Sequence, residues 1–289
     1  MAKSVPKKLP VKKLSSTNEE DLDLPLALSF FINLFVFTTP LYPVMMLFFS
    51  FHFIMGFFIS NVFIFYVIYP LVIILAVGIY VAGVVEISSW IIVYLNKKSP
   101  PVQGMFQRKF PASKVIQYYH YRGFVIKYPL WLAYKSPIPG PWAINWVLRK
   151  IGHNKIDKNV LMLDSMPALE FLTVEENVVF YPGSVTSTHL VDSIFGNLSI
   201  FENIIKKDSI ILPSGGMPPG AYLAEKLTFM PNAFCRKKWS SEENEGYYSG
   251  VPVKKMKEYN GIFSILSEEI LKIYEDQGYI TGEQIDQAI

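Results

Sequence analysis

The chain has 289 residues, of which 51% are hydrophobic and only 18% charged, with a net charge of +3 and a mean hydropathy of +0.27. A soluble domain carries about a quarter charged residues, so this composition excludes a plain soluble globule and a disordered tail. One cysteine, Cys235, excludes an intramolecular disulfide framework and favours a reducing compartment, and the small net charge gives no argument for a nucleic-acid partner.

Residues 1–24 read as a flexible arm, first basic (Lys3, Lys7, Lys8, Lys12, Lys13) and then acidic (Glu19, Glu20, Asp21, Asp23). From Leu24 to Val85 there is no Asp, Glu, Lys or Arg at all. A bilayer core is crossed by roughly 20 apolar residues, and the punctuation at Pro40, Pro43 and the run GFFISN (56–61) predicts a transmembrane helical hairpin over 25–96. Its spans are expected at about 25–55, kinked at the prolines, and about 60–95. Three spans would leave almost no loop. A signal-peptide core is much shorter than this block, so cleavage is not expected. Lys97, Lys98, Arg108, Lys109 and Lys114 follow the block, so both flanks are basic and both termini are expected in the cytoplasm. His52, the one imidazole at this depth, reads as a neutral side chain near the hairpin tip.

Residues 97–149 alternate rings and cations: Tyr118, Tyr119, Tyr121, Phe124, Tyr128, Trp131, Tyr134, Trp142 and Trp146 with Lys114, Arg122, Lys127, Lys135 and Arg149. Such a mixture prefers the headgroup layer, and it predicts an interfacial collar.

From 150 to 253 a period of six takes over. Ile156, Met162, Val174 and Phe180 share one position of the hexad, while Val160, Met166, Leu172, Val178 and Ser184 share another. The frame resumes as IFENII KKDSII LPSGGM PPGAYL (200–223), with Ile204, Ile210, Gly216 and Tyr222 at the fifth place. Hexads of this kind build parallel β-helices, in which an inward residue stacks on its equivalent one coil later. Between Thr186 and Ile200 the register breaks, so a loop containing THLVDSIFGN must leave the coil. The tail, 254–289, carries Ile262, Leu266, Ile270 and Ile273 on one helical face, with Gly278 as a stop and Thr281 and Gln284 as a capping box. The expected fold is therefore a membrane α-helical hairpin, a parallel β-helix and a C-terminal amphipathic helix.

IGHNKIDKNV, VEENVVFYPGSV, IFENIIKKDSIILPSGGMPPGAYL and the closing GVPVKK resemble the hexapeptide-repeat acyltransferases, whose coil is a left-handed β-helix. The order of apolar spans, aromatic-basic stretch, PWAINWVLRKIG and a hexad domain with a THL loop is similar to the membrane-embedded C-terminal region of nonribosomal-peptide-synthetase-like proteins, such as the epsilon-poly-lysine synthetases. Two features depart from these patterns. The glycine usual at the second place of a hexad occurs only at Gly152, and there is no adenylation or carrier domain in this sequence.

The resemblance implies a histidine acting as general base on an acceptor hydroxyl or amine that attacks a thioester. An alcohol or ammonium is a poor nucleophile until a base with a pKa near 7 takes its proton. His189 occupies that place on the irregular loop, Asp192 is a candidate to orient it, and Ser187 and Thr188 are candidates to polarise the thioester carbonyl. An ordinary loop histidine bonded to backbone is the competing reading. Gly215 and Gly216 in PSGGMPPGA either admit a pantetheine arm or form tight coil corners. The donor implied is acyl-CoA or carrier-bound phosphopantetheine, used as a co-substrate with no tightly bound cofactor. The implied assembly is a homotrimer, with a carrier protein or synthetase as a further partner. Only His153 and His189 fall in the hexad region, which argues against a three-histidine zinc site, and His153 reads as a surface residue. No phosphate-binding G-x-x-x-x-G-K-[ST] or nucleophile-elbow G-x-S-x-G run occurs. Two functions follow: a membrane-anchored acyltransferase, or a non-catalytic β-helix scaffold that gathers membrane hairpins.

Overall fold

The computed structural model describes residues 26–58, 62–107, 113–135, 142–192, 197–241, 244–256 and 272–273. The amino-terminal arm and most of the C-terminal helix expected from sequence lie outside these residues.

Three apolar helices open the described chain: α1 (Leu26–Thr38), α2 (Leu41–Phe58) and α3 (Val62–Lys98). The first predicted span is thus broken at Thr39–Pro40, where proline cannot continue the backbone ladder, while Pro43 sits harmlessly in the first turn of α2. Helices α2 and α3 run antiparallel. Pro40 packs on Gly83, where a Cβ would come within 2.9 Å of the proline ring. Phe48 and Phe51 meet Tyr69, and Phe51 meets Phe65. Large apolar side chains point outward along α1, α2 and the first half of α3, among them Phe35, Met46, Phe49, Phe57, Phe63 and Leu71. His52 is satisfied locally, its Nδ1 2.7 Å from the carbonyl oxygen of Phe48.

The stretch expected to form a collar folds into one strand and two helices. After strand β1 (Gly104–Gln107) come α4 (Lys114–Lys135) and α5 (Trp142–Lys150). Tyr121, Arg122, Val125, Ile126 and Leu130 of α4 are buried, as are Ala143, Ile144, Val147 and Leu148 of α5. These two helices join the apolar helices to the coil. On one side the Tyr80 and Tyr128 hydroxyls meet at 2.7 Å and Lys150 pairs with Glu86 at 2.8 Å. On the other, Asn145 Nδ2 donates to the carbonyls of Asp157, Lys158 and Val160, closing the first coil. Arg122 donates Nε to Glu170 at 2.5 Å and Nη1 to the carbonyl of Ser99 at 3.0 Å, and both charged side chains are only 1% exposed.

The remainder is a stack of short parallel strands. β2 (Lys155–Ile156), β3 (Leu161–Met162), β4 (Leu172–Val174), β5 (Val179–Phe180) and β6 (Val185–Thr186) precede an excursion, β7 (His189–Asp192) and β8 (Asn197–Ile200). The coil resumes with β9 (Asn203–Ile205), β10 (Ile210–Ile211), β11 (Gly216–Met217), β12 (Tyr222–Leu223) and β13 (Leu227–Phe229). It closes with β14 (Gly246–Ser249), and β15 (Lys254–Lys255) returns antiparallel to it. Partners lie eighteen residues apart: Ile156 with Val174, Met162 with Phe180, Ile204 with Tyr222, Ile210 with Thr228. Three sheets result, so each coil has three sides of six residues. Corners repeat on the same count, with positive φ at Asp208, Ser214, Gly220, Lys226, Asn232 and Lys238.

Across the excursion Val179 pairs with Ile210, thirty-one residues on, so the insertion is thirteen residues rather than a multiple of six. That one-residue excess corrects the sequence frame. Ile204, Ile210 and Tyr222 face outward, and the inward row is Ile205, Ile211, Met217, Leu223 and Phe229. A shift of one reverses the faces of a strand, which explains why glycine and tyrosine fell at supposed core places. Met166 is also corrected, being 67% exposed.

Candidate functional site

The excursion is a β-hairpin rather than an irregular loop. β7 pairs antiparallel with β8, and β1, from ahead of α4, adds to the other edge of β8. Phe106, Leu198 and Ile200 of this small sheet pack on Val115 and Ile116 of α4 in a core of their own. The hairpin is thereby fixed against the amino-terminal half of α4, and His189 is carried to that helix.

His189 is exposed, and its ring lies 5.5 Å from that of Tyr119, which in turn lies 5.6 Å from His120. The three rings form a row across the junction of hairpin and helix. Desolvation by its neighbours, and then the positive charge of Lys127, push the His189 pKa below 6.5. His120 is lowered by burial first, then by His189 and Lys127. Both imidazoles are therefore neutral at pH 7 and able to accept a proton. The Tyr119 hydroxyl is pushed upward by burial and by Glu170, so it stays protonated as a hydrogen-bond donor.

The other expected residues are placed differently. Ser187 Oγ donates to the carbonyl of His189 at 2.5 Å, which pins the start of the hairpin. Thr188 is buried and its hydroxyl donates to the carbonyl of Glu170 at 2.6 Å, so it holds the coil together and does not face solvent. Asp192 ends β7, paired with Asn197. Gly215 sits at a coil corner where a Cβ would meet Ile211 and the Leu212 carbonyl. Gly216 is covered by the ring of Phe234, which occupies the space a side chain would need. Gly215 thus lies beside the corner at Ser214, while Gly216 lies in strand β11. His153 is exposed and stacks on Phe171 at 6.5 Å. Among the described residues no group of three or more His, Cys, Asp or Glu could hold a metal.

Sequence reasoning missed Tyr119, His120 and Lys127 as neighbours of His189, because they arrive from seventy residues earlier. Positive charge also lies on the coil side of the hairpin: Lys237 Nζ contacts Ser199 Oγ on β8, and Lys238 Nζ lies 4.2 Å from the centroid of Phe201. A separate depression of about 490 Å³ on the outer face of β2 and β4 is bordered by Lys155, Asp157, Glu175 and Glu176. It shares no residue with the ring row, and its carboxylates make it a poor seat for a pyrophosphate.

No protein-family model and no curated protein matches the sequence. Among solved structures, a maltose O-acetyltransferase from Clostridium difficile 630 is similar over 46% of this chain and 83% of its own, at 14% identity and a TM-score of 0.32. A galactoside acetyltransferase in complex with coenzyme A is similar over 51% and 86%, at 12% identity and 0.32. A mutant of AntD, an N-acyltransferase from Bacillus cereus in complex with dTDP-4-amino-4,6-dideoxyglucose and coenzyme A, is similar over 47% and 95%, at 14% identity and 0.28. With TM-scores this low, the account of the coil rests on its ladder registers and not on these neighbours.

Proposed function

We propose that the chain is a membrane-anchored acyltransferase of the hexapeptide-repeat type. In this reading α2 and the first half of α3 cross the bilayer as a hairpin, both termini are cytoplasmic, and the coil winds left-handed. The donor is an acyl-CoA or a carrier-bound phosphopantetheine thioester. His189 takes the proton of an acceptor hydroxyl or amine, the acceptor attacks the thioester carbonyl carbon, the C–S bond breaks, and the proton passes to the departing thiolate. The observation that carries the reading is the exposed, neutral His189 held on a hairpin outside the coil, in a row with Tyr119 and His120. Lys237 and Lys238 on the coil side supply positive charge for the donor's phosphates.

A homotrimer belongs to this reading, supported by the outward ladder Leu161–Val179–Ile210, an apolar row on the solvent side of one sheet. The scaffold alternative draws on the same ladder and on the internal use of Thr188 and Gly216. One experiment separates the two. Acetyl-CoA, longer acyl-CoAs and phosphopantetheine are tested for thermal stabilisation of the detergent-purified chain, where a ligand at a hundred times its Kd adds about 2.7 kcal/mol. His189→Ala is expected to keep its thermal midpoint and its donor-induced shift while losing transfer. Transfer that survives the substitution would sink the assignment, and the absence of a shift with every thioester would leave the scaffold.

A further inference from the structure

The open face of α4 leads from the ring row to the membrane side of the molecule. His120, Phe124, Lys127 and Trp131 stand at i, i+4, i+7 and i+11, within one narrow stripe of a helix. Lys127 is exposed, with its Nζ 5.5 Å from the Phe124 ring centroid, and Trp131 is 55% exposed and stacks on Tyr128 at 6.2 Å. Tyr128 shares its hydroxyl with Tyr80 of α3.

The level of that tyrosine pair can be located along α3. Tyr80 lies eighteen residues after Val62, about 27 Å of helix from the hairpin tip, which is close to the roughly 30 Å thickness of a hydrocarbon core. The break at Thr39–Pro40 is at the same height, because Pro40 packs on Gly83 and the Phe37 carbonyl accepts from the Tyr80 hydroxyl at 3.2 Å. Tyr80, Tyr128 and Trp131 therefore form an aromatic belt where such rings prefer to lie. From Tyr128 back to His120 is eight residues, at most about 12 Å of rise. His189, beside Tyr119, is thus no farther above the belt than a lipid headgroup and its first sugar or glycerol extend.

We infer that the acceptor is a bilayer-resident amphiphile with an anionic headgroup, whose phosphate is held by Lys127 and whose terminal hydroxyl or amine reaches His189 along the His120–Phe124–Lys127–Trp131 stripe. The inference rests on the transferase reading of His189. A soluble acceptor would need no track between belt and base. An anionic head matches the cation placed between them, in a layer where basic side chains attract anionic lipids. The transfer stays balanced: the lipid hydroxyl oxygen or amine nitrogen bonds to the acyl carbon, the thioester C–S bond breaks, and His189 relays the proton to the thiolate.

The test uses the full chain with Phe124 replaced by p-benzoylphenylalanine, reconstituted in vesicles of equimolar phosphatidylglycerol and phosphatidylcholine and photolysed. Adducts are identified by mass spectrometry. Phosphatidylglycerol is expected as the main adduct, with several-fold loss in a Lys127→Glu background and no competition by glycerol 3-phosphate in the buffer. Equal capture of the two lipids, or indifference to Lys127→Glu, would overturn the anionic-head assignment. Competition by glycerol 3-phosphate would assign the cation to free phosphate and overturn the bilayer source. Acetyl-CoA binding by the same preparation is measured in parallel by calorimetry. Lipid capture without thioester binding by any acyl-CoA would overturn the transferase reading beneath the proposal, and the acceptor role with it.

Discussion

The coil and the apolar amino-terminal helices use the same kind of side chain in opposite directions. Along the coil Ile156, Met162, Phe180, Ile211, Leu223 and Phe229 point inward at every sixth residue, and the outside is mixed. Along α2 and the first half of α3 the large residues point out, and neighbouring helices touch through Gly83, Pro40 and a cluster of rings. In water a β coil must hide its apolar row, because each buried side chain contributes roughly 1.5–3 kcal/mol. Set in a bilayer, as proposed, helices would lose that gain between them, and contact would be left to shape and to small residues. The contrast teaches that a given apolar residue contributes to stability according to the solvent on its outer side.

Two substitutions sharpen that contrast. Phe229, fully buried and in edge contact with Trp239, is expected to cost about 3–5 kcal/mol on change to alanine. Phe49 on α2, 75% exposed, is expected to cost within about 0.5 kcal/mol in detergent. Thermal midpoints of the two variants check the difference, and equal losses would break the comparison. Where the two regions meet, Arg122→Ala strands Glu170 in the interior and is expected to cost about 3–5 kcal/mol. The double change Arg122→Met with Glu170→Met should recover most of that loss. A double variant as unstable as the single would mean that the Ser99 carbonyl contact, and not the ion pair, carries the stability that Arg122 contributes.

Much of the coil was legible because two independent signals share one period. Apolar residues recur every six, and so do the corner residues from Asp208 to Lys238. What sequence alone misread was a single residue of register. The break between Thr186 and Ile200 was visible, but its size, thirteen residues, needed the ladder Val179–Ile210. His189 was legible as the one histidine in the broken register. Its neighbours were not, since Tyr119 and His120 belong to a stretch whose rings and cations suit a headgroup layer equally well. The spacing of His120, Phe124, Lys127 and Trp131 on one helical face was the available signal, but periodicity carries no information about which strand docks there.

The ring row also makes a prediction in pH. His120, His153 and His189 are all lowered below 6.5, each by desolvation first. The unfolded chain then binds more protons than the folded one between the lowered values and 6.5, so stability rises with pH across that window. It is complete above about pH 6.5 and is lost as pH falls through the folded values. For transfer, the base form of His189 predominates at pH 7, and the acid limb of kcat/KM is expected to bend below 6.5. Lys127→Gln should move that inflection upward, toward 6.5, because it removes the second cause of the shift. A pH profile of the two proteins tests this directly, and an inflection that stays in place would remove Lys127 from the neighbourhood of the base.

The smallest expected effect lies at the coil corners, where the backbone and not the side chain sets the energy. Lys226 has φ of +57°, a left-handed conformation that costs an L residue roughly 1–2 kcal/mol. Its ion pair with Glu245, at 4.0 Å, joins two exposed side chains and contributes about 0–1 kcal/mol. Glycine at this position relieves the strain but loses about 0.5–1 kcal/mol through the freedom it adds to the unfolded chain. Lys226→Gly is therefore expected to stabilise by at most about 1.5 kcal/mol, seen as a small rise in the thermal midpoint. Gly220→Ala is the opposite case within the same corner set: φ is +80° and a Cβ would come within 3.0 Å of the Lys238 side chain, so the midpoint should fall. If both substitutions moved the midpoint the same way, the six-residue corner would not be the element that sets the coil's period, and the inward apolar row alone would have to fix it.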